Sequence, residues 1–364
     1  MTASGGGQPV GAVAPDGAAA ASSDTAAGST GLLDFPWATT LKPYGTALLA
    51  LARERPDVIA LGADLTRQTE TDLIRDELPD QFVNVGMAEQ NLVGIAAGLA
   101  RAGRCVFVHT FGVFATRRPF EQIALQVAYP RLDVKLVGFM PGLSSPGGPS
   151  HQAIDDVALM RALPNMTVLD VADATEVRQA VGLLAAHEGP CYLRLKRGEV
   201  PVLFDDRHHL ELGQAQWLRL GDDVAILAAG MLVPTALRAA EALAGAGVAA
   251  AVVNVPTLEP IDRAAVLRAA AGTRAVVTAE NHSIVGGLGS AVAEVLAEAG
   301  AGRPLRRVGI ADTFAQASSA QWLFRHYGLD VGAVVGAAWT VLGRDGAPPA
   351  VEDVAVAQGQ NSPV

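Results

Sequence analysis

Continuous apolar segments that alternate with helical segments constrain the fold of this chain more than any other feature of its sequence. The apolar, β-branched segments lie at 58–61, 82–85, 105–108, 134–139, 167–171 and 191–195. Segments rich in Ala and Leu lie beside them at 44–54, 89–101, 118–128, 154–162 and 174–188. Strands that are apolar on both faces are typical of a parallel sheet that helices cover on both sides.

A second series of the same kind begins after a polar break at about 201–221. Its apolar segments lie at 224–228, 249–255, 275–279 and 306–310, and its helical segments at 234–244, 263–271, 287–299 and 320–327. We therefore predict an α/β protein with two consecutive doubly wound α/β domains, at 35–205 and 212–345.

The two ends of the chain differ from these domains in composition. Residues 1–34 are mostly Ala, Gly, Ser, Thr and Pro, and residues 346–364 are similar. Such segments bury too little apolar area to offset the entropy that is lost when they become ordered. The sequence therefore predicts disordered tails at 1–34 and 346–364.

Charge and cysteine content limit the partners and the compartment. The net charge is −10 with 27 Lys and Arg residues, which disfavours a nucleic-acid-binding protein. Cys105 and Cys191 lie in apolar strands, so we predict buried thiols, no disulfide and a reducing cytoplasmic setting.

Apolar runs of about 20 residues are absent, which predicts no membrane span. Residues 1–31 also lack the basic and apolar regions of a signal peptide.

Two glycine-containing motifs carry little information. Gly-Asp-Asp at 221–223, with Asn254 further on, loosely matches a Gly-Asp-Gly…Asn motif that binds Mg²⁺ and a diphosphate. It precedes a predicted strand instead of following one, so we predict a polar turn. Gly-Gly-Leu-Gly at 286–289 opens a predicted helix whose N–H groups could face an anion. Without a strand immediately before it, close helix packing is the better explanation.

The segment from Asn84 to Asp156 is the informative part of the chain. Glu89 follows an apolar strand and begins a helix, at the edge where α/β sheets place their sites. Phe111 and Phe114 follow the next strand, and His151 lies in a Gly- and Pro-rich loop. Each of these residues alone has an ordinary structural explanation, but their order and spacing together point to a site.

At this point the sequence resembles the C-terminal half of transketolase, that is, its pyrimidine-binding domain followed by its C-terminal domain. The resemblance covers residues 36–343 and is strongest to the small subunit of split, two-chain transketolases. Its motifs are Gly-Met-Ala-Glu-Gln-Asn at 86–91, Thr-Phe-x-x-Phe-Ala-Thr-Arg-Arg at 110–118, Ser-His-Gln at 150–152 and Met-Arg-Ala-Leu-Pro-Asn-Met at 160–166.

The resemblance implies thiamine diphosphate as cofactor. Glu89 matches the family glutamate that hydrogen-bonds N1′ of the aminopyrimidine and so favours the tautomer that deprotonates the thiazolium. Phe111 and Phe114 match the aromatic residues that pack on the pyrimidine ring. Asp64 matches an aspartate near the cofactor and the dimer interface.

The resemblance also assigns two residues to the substrate. His151 matches a histidine that faces the substrate oxygen and can transfer a proton. Arg197 matches an arginine that holds the substrate phosphate.

The family element that binds the diphosphate and Mg²⁺ belongs to the N-terminal half of transketolase, which this chain lacks. The resemblance therefore implies a partner chain that carries the diphosphate-binding domain and most of the Mg²⁺ site. The active site would lie between chains, in an α₂β₂ heterotetramer.

Three positions depart from the pattern of ordinary split transketolases. Met140 and Gly147 stand where a substrate-binding His and Asp are expected, and Leu41 stands where a second phosphate-binding Arg is expected. Each charged hydrogen bond lost costs about 1–3 kcal/mol, so ordinary sugar-phosphate recognition should be weakened. Two expectations stay open: classical ketol transfer from an ordinary ketose, and a specialised enzyme that transfers a two-carbon ketol or acyl unit from an unusual ketose or a 2-oxo acid to an aldehyde.

Other functions remain open. A β subunit of a 2-oxo acid dehydrogenase E1 and a 1-deoxyxylulose-5-phosphate synthase-like subunit are enzymatic alternatives. A non-catalytic scaffold subunit is the alternative from another class, and Glu89→Gln separates it from an enzyme. For Glu-Asn-His at 280–282, we predict a structural or interface role instead of catalysis.

Overall fold

The computed structural model describes residues 38–351. The predicted disordered tails at 1–34 and 346–364 lie outside this range, except for residues 346–351, which form no helix or strand. None of the helices within the described range is long and apolar enough to cross a lipid bilayer.

The strands follow the predicted order along the chain. They are β1 (Thr39–Thr40), β2 (Val58–Gly62), β3 (Phe82–Asn84), β4 (Cys105–Phe111), β5 (Val134–Phe139), β6 (Thr167–Asp170), β7 (Cys191–Leu195), β8 (Val200–Pro201), β9 (Gln216–Arg219), β10 (Val224–Ala228), β11 (Ala250–Asn254), β12 (Thr257–Glu259), β13 (Ala275–Ser283) and β14 (Leu305–Ile310).

Helices occupy most of the chain between these strands. They are α1 (Pro43–Glu54), α2 (Asp72–Glu77), α3 (Glu89–Arg101), α4 (Gly112–Thr116), α5 (Phe120–Gln122), α6 (Asp156–Arg161), α7 (Ala174–Ala186), α8 (Leu232–Gly245), α9 (Arg263–Gly272), α10 (Leu288–Glu298), α11 (Ala320–His326) and α12 (Val331–Val341). Short 3₁₀ turns lie at Pro79–Gln81 and Gly142–Ser144.

The first sheet has seven strands in the order β12-β6-β7-β5-β4-β2-β3. Its strands are parallel apart from β12, which pairs antiparallel with β6. The predicted strands of the first domain are present. However, β12 comes from the sequence of the second domain and extends the sheet of the first.

The second sheet has five strands in the order β14-β13-β10-β11-β9. It is parallel apart from β9, which pairs antiparallel with β11. Strand β9 lies within the predicted break at 201–221, so that part of the break is a strand. The predicted fold class, two consecutive α/β domains, is confirmed.

The helical segment predicted at 118–128 is present from residue 120, but it is not a single α-helix. The structure has the single turn α5 followed by a π-helix at Ile123–Ala128. At its end, the Tyr129 N–H donates to the Ala124 carbonyl, five residues back. The wider winding still buries Ile123 and Val127, so the apolar spacing alone does not distinguish a π-helix from an α-helix.

One hydrophobic core is continuous across both domains. It contains Leu61 and Val106 of the first sheet together with Leu227 and Val253 of the second. Both cysteines are buried and unpaired, as predicted, and burial raises the pKa of each thiol to about 12. The shared core and β12 join the two predicted domains into one packed unit.

Candidate active site

The carboxyl ends of the parallel strands bring the predicted residues to one edge of the first sheet. Asp64 follows β2, Phe111 ends β4, Met140 follows β5, and Arg197 follows β7. Ligand sites of open α/β sheets form at this edge.

Glu89 is the first residue of α3 and is only 5% exposed. A carboxylate at this position interacts favourably with the N-terminus of the helix. Its Oε1 accepts a hydrogen bond from Arg118 Nη1 at 2.8 Å. In front of the carboxylate lies an open pocket of about 480 Å³, which Arg118 also lines. The rim residue Met87 is 81% exposed.

The aromatic residues form a contiguous cluster with His151. The rings of Phe111 and Phe114 stack with centroids 6.0 Å apart, and the His151 ring lies edge-on to Phe114 at 5.2 Å. The Arg118 Cζ atom lies 4.1 Å above the Phe114 ring. Glu89, Phe111, Phe114 and His151 are thus brought together, with Arg118 between the carboxylate and the rings.

Sequence reasoning noticed Arg118 only as part of a family motif and did not place it in the site. The contact depends on side-chain direction, because Arg118 is separated from Glu89 by 29 residues. One feature of the sequence could have pointed to Arg118: it is a cationic residue that follows the two candidate site residues Phe111 and Phe114 by only a few positions.

The loop before His151 determines where its ring lies. A Cβ on Gly147 would come within 2.9 Å of the His151 Cβ and Cγ atoms. Ser150 Oγ lies 2.9 Å from His151 Nδ1. Behind the loop, Arg117 forms an ion pair with Asp155 at 2.8 Å. The His151 imidazole therefore packs against Gly147, in space that a side chain at position 147 would need.

Asp64 and Arg197 do not contact that cluster. Asp64 has a left-handed backbone (φ 63°), and it exchanges hydrogen bonds with Asn84 through its N–H and its carboxylate. Arg197 is exposed, and within residues 38–351 its guanidinium has no hydrogen bond or ion pair. Beside it, burial lowers the pKa of Lys196 to about 8.

Leu41 and Met140, two of the residues that depart from the family pattern, differ in exposure. Leu41 is 66% exposed, and so presents an apolar surface where a cation was expected. Met140 is buried with φ 58°, and its N–H donates to the Leu195 carbonyl.

The segment Glu280–Asn281–His282 lies at the end of β13 and is buried. Glu280 accepts hydrogen bonds from the Leu288 and Gly289 N–H groups, which begin α10. It thereby caps the helix that the 286–289 motif opens. These contacts confirm the predicted structural role.

Asn281 connects the second domain to the loop after β5. Its Oδ1 accepts from the Leu143 N–H at 2.9 Å, and its Nδ2 donates to the Pro141 carbonyl at 2.9 Å. The Arg194 guanidinium donates to the Asn281 carbonyl and to the buried Asp156. The loop that leads towards His151 is thus held by a residue of the other domain.

His282 is held in its neutral form. Its Nδ1 donates to the Ser283 carbonyl, and its Nε2 accepts from the Ala158 N–H. Burial lowers the pKa of His282 to about 4, although the carboxylates of Asp156 and Glu280 lie 3.8 Å away.

The Gly-Asp-Asp segment at 221–223 forms the predicted polar turn before β10. The Asp223 carboxylate accepts from the Ala249 N–H, and Gly221 lies against the backbone of Ala250. Elsewhere too, residues 38–351 contain no group of three or more His, Cys, Asp or Glu side chains arranged to hold a metal ion.

Two family models match the chain. The model described as "Transketolase, pyrimidine binding domain" matches residues 38–202, and "Transketolase, C-terminal domain" matches residues 213–334.

Curated relatives match along most of the chain. The 6-deoxy-6-sulfo-D-fructose transketolase subunit SqwH of Clostridium sp. (strain MSTE9) is 43% identical, over 83% of this chain and 94% of that protein. One of the subunits of apulose-4-phosphate transketolase from Phocaeicola vulgatus is 36% identical, over 79% and 93%. The 1-deoxy-D-xylulose-5-phosphate synthase 1 of Geobacter sulfurreducens is 35% identical over 84% of this chain, which spans 48% of that protein.

Solved structures share the fold. A split gene transketolase, described as an inactive β4 tetramer, superposes with a TM-score of 0.78 and 45% identity, over 83% of this chain and 97% of that one. Transketolase from Campylobacter jejuni has a TM-score of 0.70 at 22% identity, over 85% of this chain and 47% of that one.

Proposed function

The chain belongs to the transketolase family, and from that premise we propose that it is the pyrimidine-binding subunit of a two-component, thiamine-diphosphate-dependent enzyme. The proposed enzyme transfers a two-carbon ketol or acyl unit from a ketose or 2-oxo acid donor to an aldehyde acceptor. The observation that carries the proposal is the buried Glu89, which lines an open pocket and is linked through Arg118 to the stacked pair Phe111 and Phe114.

These residues fit an aminopyrimidine. The ring of such a group is flat and aromatic, so it can stack on Phe111 or Phe114. Its ring nitrogen can share a proton with a carboxylate, and the almost fully buried Glu89 is the carboxylate that Arg118 links to the Phe114 ring. Bound thiamine diphosphate supplies a carbon nucleophile and an electron sink. Glu89 would hold the proton at N1′, and His151 would hold or move a proton at the substrate oxygen.

We propose that the substrate carries an anionic group that Arg197 binds. The guanidinium is exposed and has no hydrogen bond or ion pair to the part of the chain that the structure describes, so it suits a phosphate or a similar tetrahedral anion, which it can contact through two N–H groups. Because Leu41, Met140 and Gly147 replace expected polar residues, we propose a donor other than an ordinary ketose phosphate. Weak activity with xylulose 5-phosphate and ribose 5-phosphate is the expected result. Ordinary transketolase rates with that pair would contradict a specialised donor.

The diphosphate and Mg²⁺ are assigned to a partner chain, in an α₂β₂ assembly. Two observations support the shared site. The exposed Met87 lies on the rim of the Glu89 pocket, where another chain could cover it. In addition, the related split gene transketolase that is described as a β4 tetramer is also described as inactive.

The test is Glu89→Gln in the complex of this chain with its partner, with the exposed Glu54→Gln as the matched control. We expect Glu89→Gln to lower kcat by at least about 100-fold, because general acid–base groups contribute 10²–10⁴-fold. Assembly, followed by sedimentation, should be unchanged in both variants. Full activity in Glu89→Gln would contradict the proposal and favour a scaffold role.

A further inference from the structure

Arg118 contacts the same two side chains, Glu89 and Phe114, that the proposed site offers to a pyrimidine ring. Its Nη1 donates to Glu89 Oε1 at 2.8 Å, and its guanidinium carbon lies 4.1 Å above the centre of the Phe114 ring. One planar side chain therefore uses both the carboxylate and the aromatic face.

The chemistry of a guanidinium explains this double contact. It is flat, it carries N–H donors along its edge, and it stacks on aromatic faces while it pairs with a carboxylate. A protonated aminopyrimidine has the same two properties, a donor edge and a flat face. Arg118 thus presents to Glu89 and Phe114 what the ring of the cofactor would present.

A buried carboxylate needs a partner at all times. Glu89 is 5% exposed, and an unpaired buried charge is strongly destabilising. Within this chain, Arg118 supplies that partner. The pairing is therefore useful to the folded chain even though it covers the site.

The Arg118 side chain can also move away from Glu89. Its side chain is 51% exposed, and the described residues offer it no hydrogen bond or ion pair other than that with Glu89. Its backbone is held separately, because Gln90 Nε2 donates to the Arg118 carbonyl at 3.3 Å. Rotation of the side chain into solvent needs no movement of α3 or of the chain around residue 118.

We propose that Arg118 is an internal competitor of the aminopyrimidine ring, which pairs with Glu89 in the free chain and is displaced when the cofactor binds. This inference rests on the proposed function. It adds a residue that sets the affinity of the site and keeps Glu89 neutralised until the site is filled.

The experiment is calorimetric titration of thiamine diphosphate with Mg²⁺ into the complex of this chain with its partner. The variants are Arg118→Ala and, as the matched control, Arg101→Ala, which removes an exposed arginine at the far end of α3. We expect Arg118→Ala to bind about tenfold more tightly, since the ion pair of the half-exposed guanidinium with Glu89 and its cation–π contact no longer compete. Arg118→Lys keeps the charge without the planar face, so its affinity for thiamine diphosphate should lie between that of the wild type and that of Arg118→Ala.

Binding by Arg118→Ala that is equal to or weaker than that of the wild type would overturn the competitor role, as would an equal gain in Arg101→Ala. Thermal unfolding of each variant checks that the fold is intact. A wild-type complex that does not bind thiamine diphosphate would overturn the proposed function, and this inference with it. The two failures are therefore distinguishable by the behaviour of the wild type.

Discussion

At the residue scale, the missing side chain of Gly147 determines how His151 can be used. The two residues are packed so closely that even a methyl group at position 147 would meet the imidazole. The position where the family pattern expects an aspartate is thus occupied by the ring of the candidate proton-transfer residue. The glycine thus changes the shape of the candidate site as well as its charge.

Gly147→Ala should therefore displace His151 without unfolding the chain, because residue 147 is exposed. We expect activity of the assembled enzyme to fall by about 10- to 100-fold, as small misplacements of catalytic groups do. Gly182→Ala on α7, where a Cβ meets nothing within 4 Å, is the matched control. Unchanged activity in Gly147→Ala would show that the ring of His151 is not confined there.

His282 makes stability depend on pH with a definite sign. Its pKa is about 4 in the folded chain, against about 6.5 when it is unfolded. The unfolded state therefore takes up the proton first, so the contribution of neutral His282 is complete above pH 6.5 and is lost as the pH falls towards 4. Burial raises the pKa of Glu280 to about 7, which gives the opposite sign between about pH 4.5 and 7.

Comparison of the wild type with His282→Asn separates the pH dependence that His282 contributes from that of Glu280. Urea unfolding at pH 7 and pH 5 should show that the stability gap between the wild type and His282→Asn narrows by about 2 kcal/mol at the lower pH. A gap that is the same at both pH values would mean that His282 titrates normally in the folded chain.

At the scale of elements, the end of β13 organises two other parts of the structure. Glu280 caps α10, and Asn281 holds the loop that follows β5. A strand of the second domain therefore supports the loop that leads to the candidate site of the first.

Asn281→Ala should leave the Leu143 N–H buried without a partner, whereas the Pro141 carbonyl keeps its hydrogen bonds from the N–H and the hydroxyl of Ser144. We expect a loss of about 1–3 kcal/mol in the free energy of unfolding, measured in urea. Thr340→Ala, which removes a single exposed bond to the Gly336 carbonyl, should stay within about 0.5 kcal/mol of the wild type. A loss of similar size in both variants would argue against the role of Asn281.

Elements differ in how far the sequence predicts them. The parallel strands were predictable because their apolar runs are continuous. Strand β12 was not, since its three residues follow Pro256 and their partner is β6, far away in the chain. The π-helix buries the residues that an α-helix would bury. Glu89, Phe111, Phe114 and His151 were found through motifs, whereas the contact of Arg118 with Glu89 needed three-dimensional coordinates.

At the scale of the whole molecule, the two domains share a core and a sheet strand. Arg194 of the first domain is fully buried against Asp156 and the carbonyl of Asn281. Separation of the domains would expose apolar residues of both and leave this cation without one of its partners.

We therefore expect one cooperative unfolding transition. Tryptophan fluorescence, which draws on Trp217, Trp322 and Trp339 of the second domain and on Trp37 outside the described residues, should change at the same urea concentration as far-UV circular dichroism. A fragment of residues 38–205 should fail to fold, because it lacks β12. Two separate transitions would show that the shared core does not couple the domains.

We propose that this chain supplies one half of a cofactor site that a partner chain completes. The decisive experiment is calorimetric titration of thiamine diphosphate with Mg²⁺ into this chain alone and into its mixture with the partner. We predict tight binding in the mixture and at most weak binding by the chain alone. Tight binding by the chain alone, or none in an assembled mixture, would rule out a site shared between the two chains.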